Sequence, residues 1–278
     1  MRIIQADEIT KVVRKGTMAA GTDLEPDILN ALTEARDTET SPLSKNVLSL
    51  LLNNAVISQD EKIPLCQDTG VSVVFVEIGQ DVYVDGNLED ALQKGVAAGY
   101  QDGYLRKSVC DPITRVNTGT NTPAVIHYEI VAGDEIKISL LPKGCGSENM
   151  SGLVMLSPSL GIQGMIDFVV EQVVQAGPNP CPPVTVGVGM GGSFEKAAIL
   201  AKKSLLRPLG QPSPRQDIRD LEETIMQTIN EQGMGVHGFG GNHTSLAVHI
   251  ETFPSHIASL PVAVNIQCHS HRYKKIIL

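Results

Sequence analysis

Runs of β-branched residues bounded by glycine set the strongest limit on how this chain can fold. Three of them lie in the first half: VSVVFVEI at 71–78, AVIHYEIV at 124–131 and EIKISLLP at 135–142. Val and Ile favour extended backbone because their branched Cβ packs well on a pleated surface. Each run therefore predicts a strand, and Gly133 and Asp134 between the last two predict a hairpin turn.

A helical pattern follows these strands. Apolar residues recur at three-and-four spacing from Ile162 to Val173, which predicts a helix with one buried face. Residues 1–60 are predicted to be rich in helix, since Pro26 and Pro42 suit first helical positions. The remaining predicted elements are helices at 195–205 and 218–231 and strands at 184–192, 244–251 and 261–267. This mixture predicts an α+β fold with mixed sheets surrounded by helices.

Length and charge limit the class of protein. The chain has 278 residues, 42% of them hydrophobic, and no clear internal boundary, so a single domain over 1–278 with a helical cap at 1–60 is expected. A net charge of -9 argues against nucleic acid or an anionic membrane as the main partner. No leader-like start and no run of about eighteen apolar residues is present, so a cytoplasmic protein is expected.

Five cysteines, an odd number, make a disulfide framework a poor interpretation, and none forms a C-x-x-C pair. Cys66, Cys181 and Cys268 lie in turn-like contexts beside predicted strands, where distant thiols can meet at strand ends. A metal or cluster site is one interpretation. The other is that each is an ordinary packed thiol, since cysteine is among the most buried residue types.

Six motifs, in order along the chain, resemble those of the alpha subunits of class I fumarate hydratases and L-tartrate dehydratases. They cover about residues 63–272 and are CQDTG at Cys66, NTGTNTPAVIHYEI at Asn117, KGCGSEN at Lys143, CPP at Cys181, GMGG at Gly189 and the closing NIQCHSHR. Several long motifs in the same order are far more specific than one short glycine pattern.

The resemblance implies a [4Fe-4S] cluster at strand-end loops. In the family, three cysteines hold three of the irons, and the matching positions are Cys66, Cys181 and Cys268. The fourth iron lacks a protein thiolate and binds substrate, which suits the expulsion of hydroxide because a Lewis acid stabilises the departing charge. Cys145 matches a position that is commonly glycine in the family, and Cys110 lies in no matching motif, so neither is expected to be a ligand.

The resemblance also implies the residues that contact substrate. Gln67 and Arg106 would bind a substrate carboxylate, and Arg suits this because its planar fork makes two parallel hydrogen bonds. Asp68 would lie near the site of proton transfer, His256 would belong to the active site, and the backbone of Gly146 would approach the substrate.

Structural interpretations of these residues stay open at this stage. Asp68 could merely form the turn that Gly70 completes, and Arg106 could be a solvated charge like Lys107. His237, His243 and His249 are interpreted as hydrogen-bonded structural groups.

The resemblance implies a hydro-lyase alpha subunit that reversibly hydrates fumarate to (S)-malate. L-tartrate dehydratase is the closest alternative, and a non-catalytic iron–sulfur sensor or binding subunit is another. In single-chain members of the family a further domain follows the third cysteine, whereas this sequence runs only ten residues past Cys268, to Leu278. The expected partners are therefore a separate beta subunit, in an alpha–beta hetero-oligomer, and a small dicarboxylate substrate.

Overall fold

The computed structural model describes residues 1–278 and divides into two compact units. Unit 1 comprises Met1–Glu25, Asn54–Cys145 and Arg272–Leu278, and unit 2 comprises Pro26–Asn53 and Gly146–His271. Each contains helices and a mixed four-stranded sheet, so the predicted α+β class is confirmed. The single domain stays a prediction, because two compact units can unfold as one.

The helices and strands follow one another closely along the chain. In order they are β1 (Arg2–Gln5), α1 (Ala6–Thr22), α2 (Pro26–Thr38), α3 (Pro42–Glu61), β2 (Val71–Gly79), β3 (Val82–Asp85), α4 (Leu88–Asp102), β4 (Val125–Val131), β5 (Ile136–Lys143), α5 (Cys145–Glu148), β6 (Gly152–Leu156), α6 (Gly161–Ala176), β7 (Val184–Gly191), α7 (Phe194–Ser204), α8 (Gln216–Gln232), β8 (Ser245–Phe253), β9 (Leu260–Gln267) and β10 (Lys274–Ile277).

The sheet of unit 1 has the order β10-β5-β2-β4, and it corrects the predicted hairpin. β4 and β5 do not pair with each other, because β2 lies between them, parallel to β4 and antiparallel to β5. The short connection between them crosses the end of β2. Gly79 permits the crossing, since a Cβ there would lie 2.3 Å from the carbonyl oxygen of Gly133. The Gly79 N–H donates to the Glu135 carbonyl over 2.9 Å.

The core of unit 1 lies between this sheet and the packed pair α1 and α4. Glycines of α4 let the two helices approach closely: a Cβ at Gly95 would lie 2.7 Å from Val13, and one at Gly99 would lie 2.5 Å from Thr17. Close packing of this kind excludes voids and fixes the helix pair in one arrangement. The strand β2, which follows the loop with Cys66 and Asp68, is thereby held in place.

The sheet of unit 2 has the order β6-β9-β7-β8, with β7 parallel to β8 and antiparallel to β9. The main apolar core packs α6 and α8 on one side, and the predicted helices over these residues are confirmed. The helix α7 approaches β7 closely, because a Cβ at Gly189 would lie 2.0 Å from the Ala197 carbonyl oxygen. Gly189 of GMGG thus permits close contact between a strand and the helix that follows it.

His249 is a buried histidine of β8, 3% exposed, with its Nδ1 3.3 Å from the Ser204 carbonyl oxygen. Burial, followed by the nearby charge of Arg207, lowers the pKa of His249 to about 3. The unfolded chain binds a proton at this residue below about pH 6.5, whereas the folded protein does not. Stability must therefore fall as the pH falls between these two values.

We expect the wild-type free energy of unfolding to decrease on acidification by up to ~1.4 kcal/mol per pH unit more than that of His249→Gln. Glutamine keeps an N–H donor for Ser204 but binds no proton. Urea unfolding of both proteins at pH 7.5, 5.5 and 4.5 measures the difference. Parallel losses in the two proteins would show that His249 is not protonated on unfolding.

Candidate functional site

The loop between α3 and β2 presents Cys66 and Gln67. Its start is anchored at Leu65, whose N–H donates to the Gly21 carbonyl over 2.9 Å and whose carbonyl accepts from Asn54 over 2.9 Å. Cys66 is half-buried and Gln67 is exposed, and their side chains lie 3.6 Å apart, Sγ to Oε1. A rigid anchor therefore precedes two accessible polar side chains.

Asp68 is fixed by backbone groups. Its Oδ1 accepts from the Gly70 N–H over 3.1 Å, its Oδ2 accepts from the Cys145 N–H over 2.7 Å, and its carbonyl accepts from Arg272 over 2.8 Å. Gly70 is required at the turn, because its φ is 76° and a Cβ there would lie 2.3 Å from the Lys143 carbonyl oxygen. Asp68 therefore forms a turn with Gly70, and this geometry is compatible with a catalytic role.

Two cationic residues that contact or adjoin the segment 68–70 are almost fully buried, which the sequence did not suggest. Arg272 is 1% exposed and Lys143 is 2% exposed. Tyr100, also buried, donates to the carbonyls of Thr69 and Gly70 over 2.9 Å each. Buried groups of this kind hold the loop that carries Asp68 in one conformation.

Arg106 lies on the same side of unit 1, since its carbonyl accepts from Thr69 Oγ1 over 2.9 Å. Its side chain is exposed and forms no ion pair. Lys107, expected to be a solvated charge, is half-buried and donates to the Gln101 side chain instead. Unit 1 thus positions Cys66, Gln67 and Asp68 on one loop and ties the backbone of Arg106 to that loop.

In unit 2, Cys181 and Cys268 come together where the two central strands of the sheet, β7 and β9, begin and end. Cys181 precedes β7 and Cys268 follows β9, and the two strands are antiparallel, so the start of one lies beside the end of the other. His269 confirms the proximity, because its N–H lies 3.4 Å and its Nδ1 3.0 Å from the Cys181 carbonyl oxygen. Cys181 has a φ of 55°, a left-handed conformation that costs a non-glycine residue about 1–2 kcal/mol.

Gly146 lies near the same strand ends in unit 2. A Cβ there would be 3.4 Å from the Asn179 carbonyl oxygen, two residues before Cys181. The next residue, Ser147, donates to Gln267 Oε1 over 3.5 Å. Gln267 is fully buried, and its Nε2 has no hydrogen-bond partner in the protein. An amide N–H is therefore available beside Cys268, where it could donate to a bound sulfur or anion.

His237, which the sequence analysis interprets as a hydrogen-bonded structural group, lies at the same strand ends. Its Nε2 lies 3.3 Å from His269 Nδ1, and its N–H donates to the Pro182 carbonyl over 2.9 Å. Burial lowers the pKa of His237, so its ring is neutral at neutral pH. Glycines on both sides are the only sequence signal, and they permit the turn in which His237 has a φ of 50°.

The structure does not bring His256 to these cysteines. His256 lies in the exposed turn that leads into β9, where its Nδ1 accepts from the Ala258 N–H over 3.1 Å. Cys268 follows the other end of that eight-residue strand. At 3.3 Å per residue, the strand separates the two residues by roughly 25 Å.

The thiols suit a cluster in chemistry and placement. Cys66, Cys181 and Cys268 are each at least partly accessible in a loop adjoining a strand. Soft thiolates select iron–sulfur clusters and zinc, and the buried amide donor of Gln267, which has no partner in the protein, suits a sulfur-rich group. No three His, Cys, Asp or Glu side chains converge on a single metal-ion position. The assignment of all three thiols to one cluster therefore rests on the motifs.

No helix of the chain combines the length and the apolar character needed to cross a membrane.

Residues 10–277 match the family model described as fumarate hydratase (fumerase). The chain thus belongs to the fumarate hydratase family of hydro-lyases.

Named relatives match over almost the whole chain. The "Putative L(+)-tartrate dehydratase subunit alpha" of Methanocaldococcus jannaschii is 41% identical over 95% of both chains. The L(+)-tartrate dehydratase alpha subunits of Escherichia coli K12 and Shigella sonnei are each 33% identical to this chain, over 96% of its length and 89% of their own length.

Proposed function

We propose that this chain is the iron–sulfur alpha subunit of a hydro-lyase that interconverts fumarate and (S)-malate together with a beta subunit. The observation that carries the proposal is that the Asp68 carboxylate is immobilised and that the backbone of the accessible Arg106 is bonded to the same loop. A hydroxy dicarboxylate requires a carboxylate for proton transfer and a guanidinium for carboxylate binding.

Cys66, Cys181 and Cys268 would hold the [4Fe-4S] cluster. When bound, the cluster supplies a Lewis acid that stabilises the hydroxide leaving the substrate. The left-handed backbone at Cys181 and its contact with His269 support this role, because strained positions persist where the surrounding structure over-determines them. The neutral His237 would hold the His269 ring in a fixed orientation.

The chain's own groups would bind the acid and move a proton. Arg106 would form two parallel hydrogen bonds with one substrate carboxylate, Gln67 would donate its amide to the same acid, and the backbone of Gly146 would line the pocket. Asp68 would accept the proton from the carbon next to the hydroxyl-bearing carbon, or activate a base on the beta subunit. Its fixed orientation lowers the reorganisation that such a step needs.

A beta subunit is proposed because the relatives are named as alpha subunits. Because one sheet places His256 far from Cys181 and Cys268, we propose that a second copy of the chain supplies it to the site. An exposed turn can reach a neighbouring subunit without rearrangement of the sheet.

The printed names of the relatives favour L(+)-tartrate as the second candidate substrate. Both reactions remove water from a four-carbon hydroxy dicarboxylate, so the same residues serve either. Steady-state kinetics of the reconstituted alpha–beta complex with fumarate, (S)-malate and L(+)-tartrate distinguish them. A higher kcat/KM for tartrate would assign the second substrate, and no turnover of any of them would favour a non-catalytic iron–sulfur subunit.

Arg106→Lys should weaken transition-state binding by about 2 to 4 kcal/mol, which is measured as a lower kcat/KM of the complex. The reason is that lysine keeps the charge but loses the two-pronged geometry. Arg106→Ala should lose at least as much, with iron content unchanged in both. Arg115→Ala is the matched control, since Arg115 is an exposed arginine of the same segment. Wild-type kinetics in Arg106→Ala would identify Arg106 as a solvated charge.

A further inference from the structure

A network of side-chain hydrogen bonds in unit 2 surrounds Glu148, the last residue of α5. One carboxylate oxygen of Glu148 accepts from Lys202 Nζ of α7, and the other accepts from Asn265 Nδ2 of β9 over 2.9 Å. Asn265 Nδ2 also donates to Ser151 Oγ over 3.0 Å, and Ser151 Oγ accepts from the Ile266 N–H over 3.3 Å. Glu148 is thus held by two elements that are distant from it in sequence.

Ser147 and Glu148 both bind to one face of β9. Side chains two residues apart on a strand point to the same side of the sheet, so Asn265 and Gln267 share this face. Ser147 donates to Gln267 Oε1 over 3.5 Å, and Glu148 accepts from Asn265. Two side-chain contacts thus join the motif KGCGSEN to the motif NIQCHSHR.

The two groups that hold Glu148 belong to closely packed elements. Asn265 is 6% exposed on a central strand of the sheet, opposite Gly187 of β7. A Cβ at Gly187 would lie 2.2 Å from the Ala201 carbonyl oxygen, so α7 lies directly against this face of the sheet. Lys202, the next residue of α7, therefore reaches Glu148 from a helix that has little freedom to move.

The position of Glu148 in the chain connects this network with the proposed substrate pocket. Gly146 lies two residues before Glu148, and Cys268 directly follows the Gln267 that Ser147 contacts. Groups that contact a substrate must be held within about 0.5 Å of their productive positions. A glycine has no side chain with which to hold its own backbone, so the residues that follow Gly146 must supply that support.

We propose that Glu148 is a positioning residue of the active site, which fixes the Gly146 backbone through its bonds to Lys202 and Asn265. This inference rests on the proposed function, in which Gly146 lines the substrate pocket. Hydrogen bonds to an ionised carboxylate are short and strong, and bonds to both of its oxygens also fix its orientation. Asp68 has supports of its own in unit 1, so loss of the Glu148 bonds weakens substrate binding more than proton transfer.

Glu148→Gln and Lys202→Met in the reconstituted alpha–beta complex should each raise KM at least about tenfold and keep kcat within about threefold of wild type. The substrate is (S)-malate or L(+)-tartrate, whichever the wild type converts. The double variant should raise KM no more than about twofold beyond the larger single change, because both changes remove the same bond. Steady-state kinetics scaled to iron content measure both constants.

Arg207→Met is the matched control for a purely structural effect. Arg207 forms an ion pair with Glu222 in the same unit, with both side chains 10% exposed, and Glu222 accepts from the Ile250 N–H of β8 rather than from β9. Destabilisation lowers the fraction of active complex, and hence the apparent kcat, without raising KM. Arg207→Met should therefore lower the melting temperature and leave KM unchanged.

Amide hydrogen exchange of the full-length chain without its cluster tests the positioning in the absence of turnover. Residues 146–151 should exchange at least about tenfold faster in Glu148→Gln and Lys202→Met than in wild type, because local opening no longer breaks the Glu148 bonds. The strand β7 should keep its protection in both variants. Arg207→Met should leave the exchange of residues 146–151 unchanged.

Unchanged KM in both single variants, a raised KM in Arg207→Met, additive effects in the double variant or unchanged exchange at residues 146–151 would each overturn the proposal. A wild-type complex that converts none of the substrates would instead overturn the proposed function. Hydrogen exchange would then still decide whether Glu148 fixes this segment.

Discussion

Cys66→Ser, Cys181→Ser and Cys268→Ser should each lose most of the bound iron, and activity should fall by more than about 100-fold. A serine hydroxyl is a harder and more weakly acidic ligand than a thiol, so it does not replace a cluster thiolate. Even outer-shell changes at metal sites typically cost about 10- to 100-fold, and loss of a direct ligand should exceed this. Iron analysis and the broad visible absorbance of the anaerobically reconstituted protein measure the effect.

Cys110→Ser and Cys145→Ser are the matched controls for the ligand assignment. Cys110 is half-buried and Cys145 is exposed, so both changes are sterically mild. Both variants should keep wild-type iron content. Cluster loss in either control with the fold intact, or normal iron in any one of the three ligand variants, would contradict the assignment.

Asp68→Asn should lower kcat by about 10²- to 10⁴-fold, the range typical of a general acid–base group. Asparagine has the same shape but does not accept the substrate proton. It also places an NH₂ group opposite one of two N–H donors, those of Gly70 and Cys145. Stopped or continuous assays of the alpha–beta complex, with iron content in parallel, measure the loss.

Asp111→Asn separates chemistry from turn geometry. Asp111 is an exposed aspartate of unit 1 whose Oδ1 also accepts backbone N–H groups, from Ile113 over 3.0 Å and Thr114 over 2.7 Å. Its replacement disturbs a similar turn and should leave kcat unchanged. If Asp68→Asn retained wild-type kcat with a normal KM, Asp68 would be a turn residue and the base would lie elsewhere.

Local pattern predicted the strands and most of the helices, but not how the strands pair. The runs at 71–78, 124–131 and 135–142 are strands as expected, whereas their order depends on which strand best tolerates neighbours on both sides. The run at 71–78 is almost continuously apolar, which is typical of a central strand and agrees with the position of β2 between β4 and β5. The short Gly133–Asp134 connection pointed instead to direct pairing of β4 with β5.

The accessible residues of the candidate site could be predicted from motifs, but the groups that support them could not. Arg272 and Lys143 are charged side chains, which normally lie on the surface, and only the fold shows that both are buried and that Arg272 donates to the Asp68 carbonyl. His237 lies 31 residues before Cys268 in sequence, so its proximity to His269 depends on tertiary structure alone. Positioning groups of this kind have no local sequence pattern.

The discontinuous path of unit 1 sets an order of events during synthesis. Its sheet needs β10, which pairs with β5, and a Cβ at Gly16 would lie 2.8 Å from Ile276, so the last residues pack against the first helix. The loop with Asp68 also needs Arg272. A ribosome adding about 5–20 residues per second reaches these residues only after all of unit 2 has been made. The sheet of unit 1 therefore stays incomplete until residues 272–278 have been synthesised.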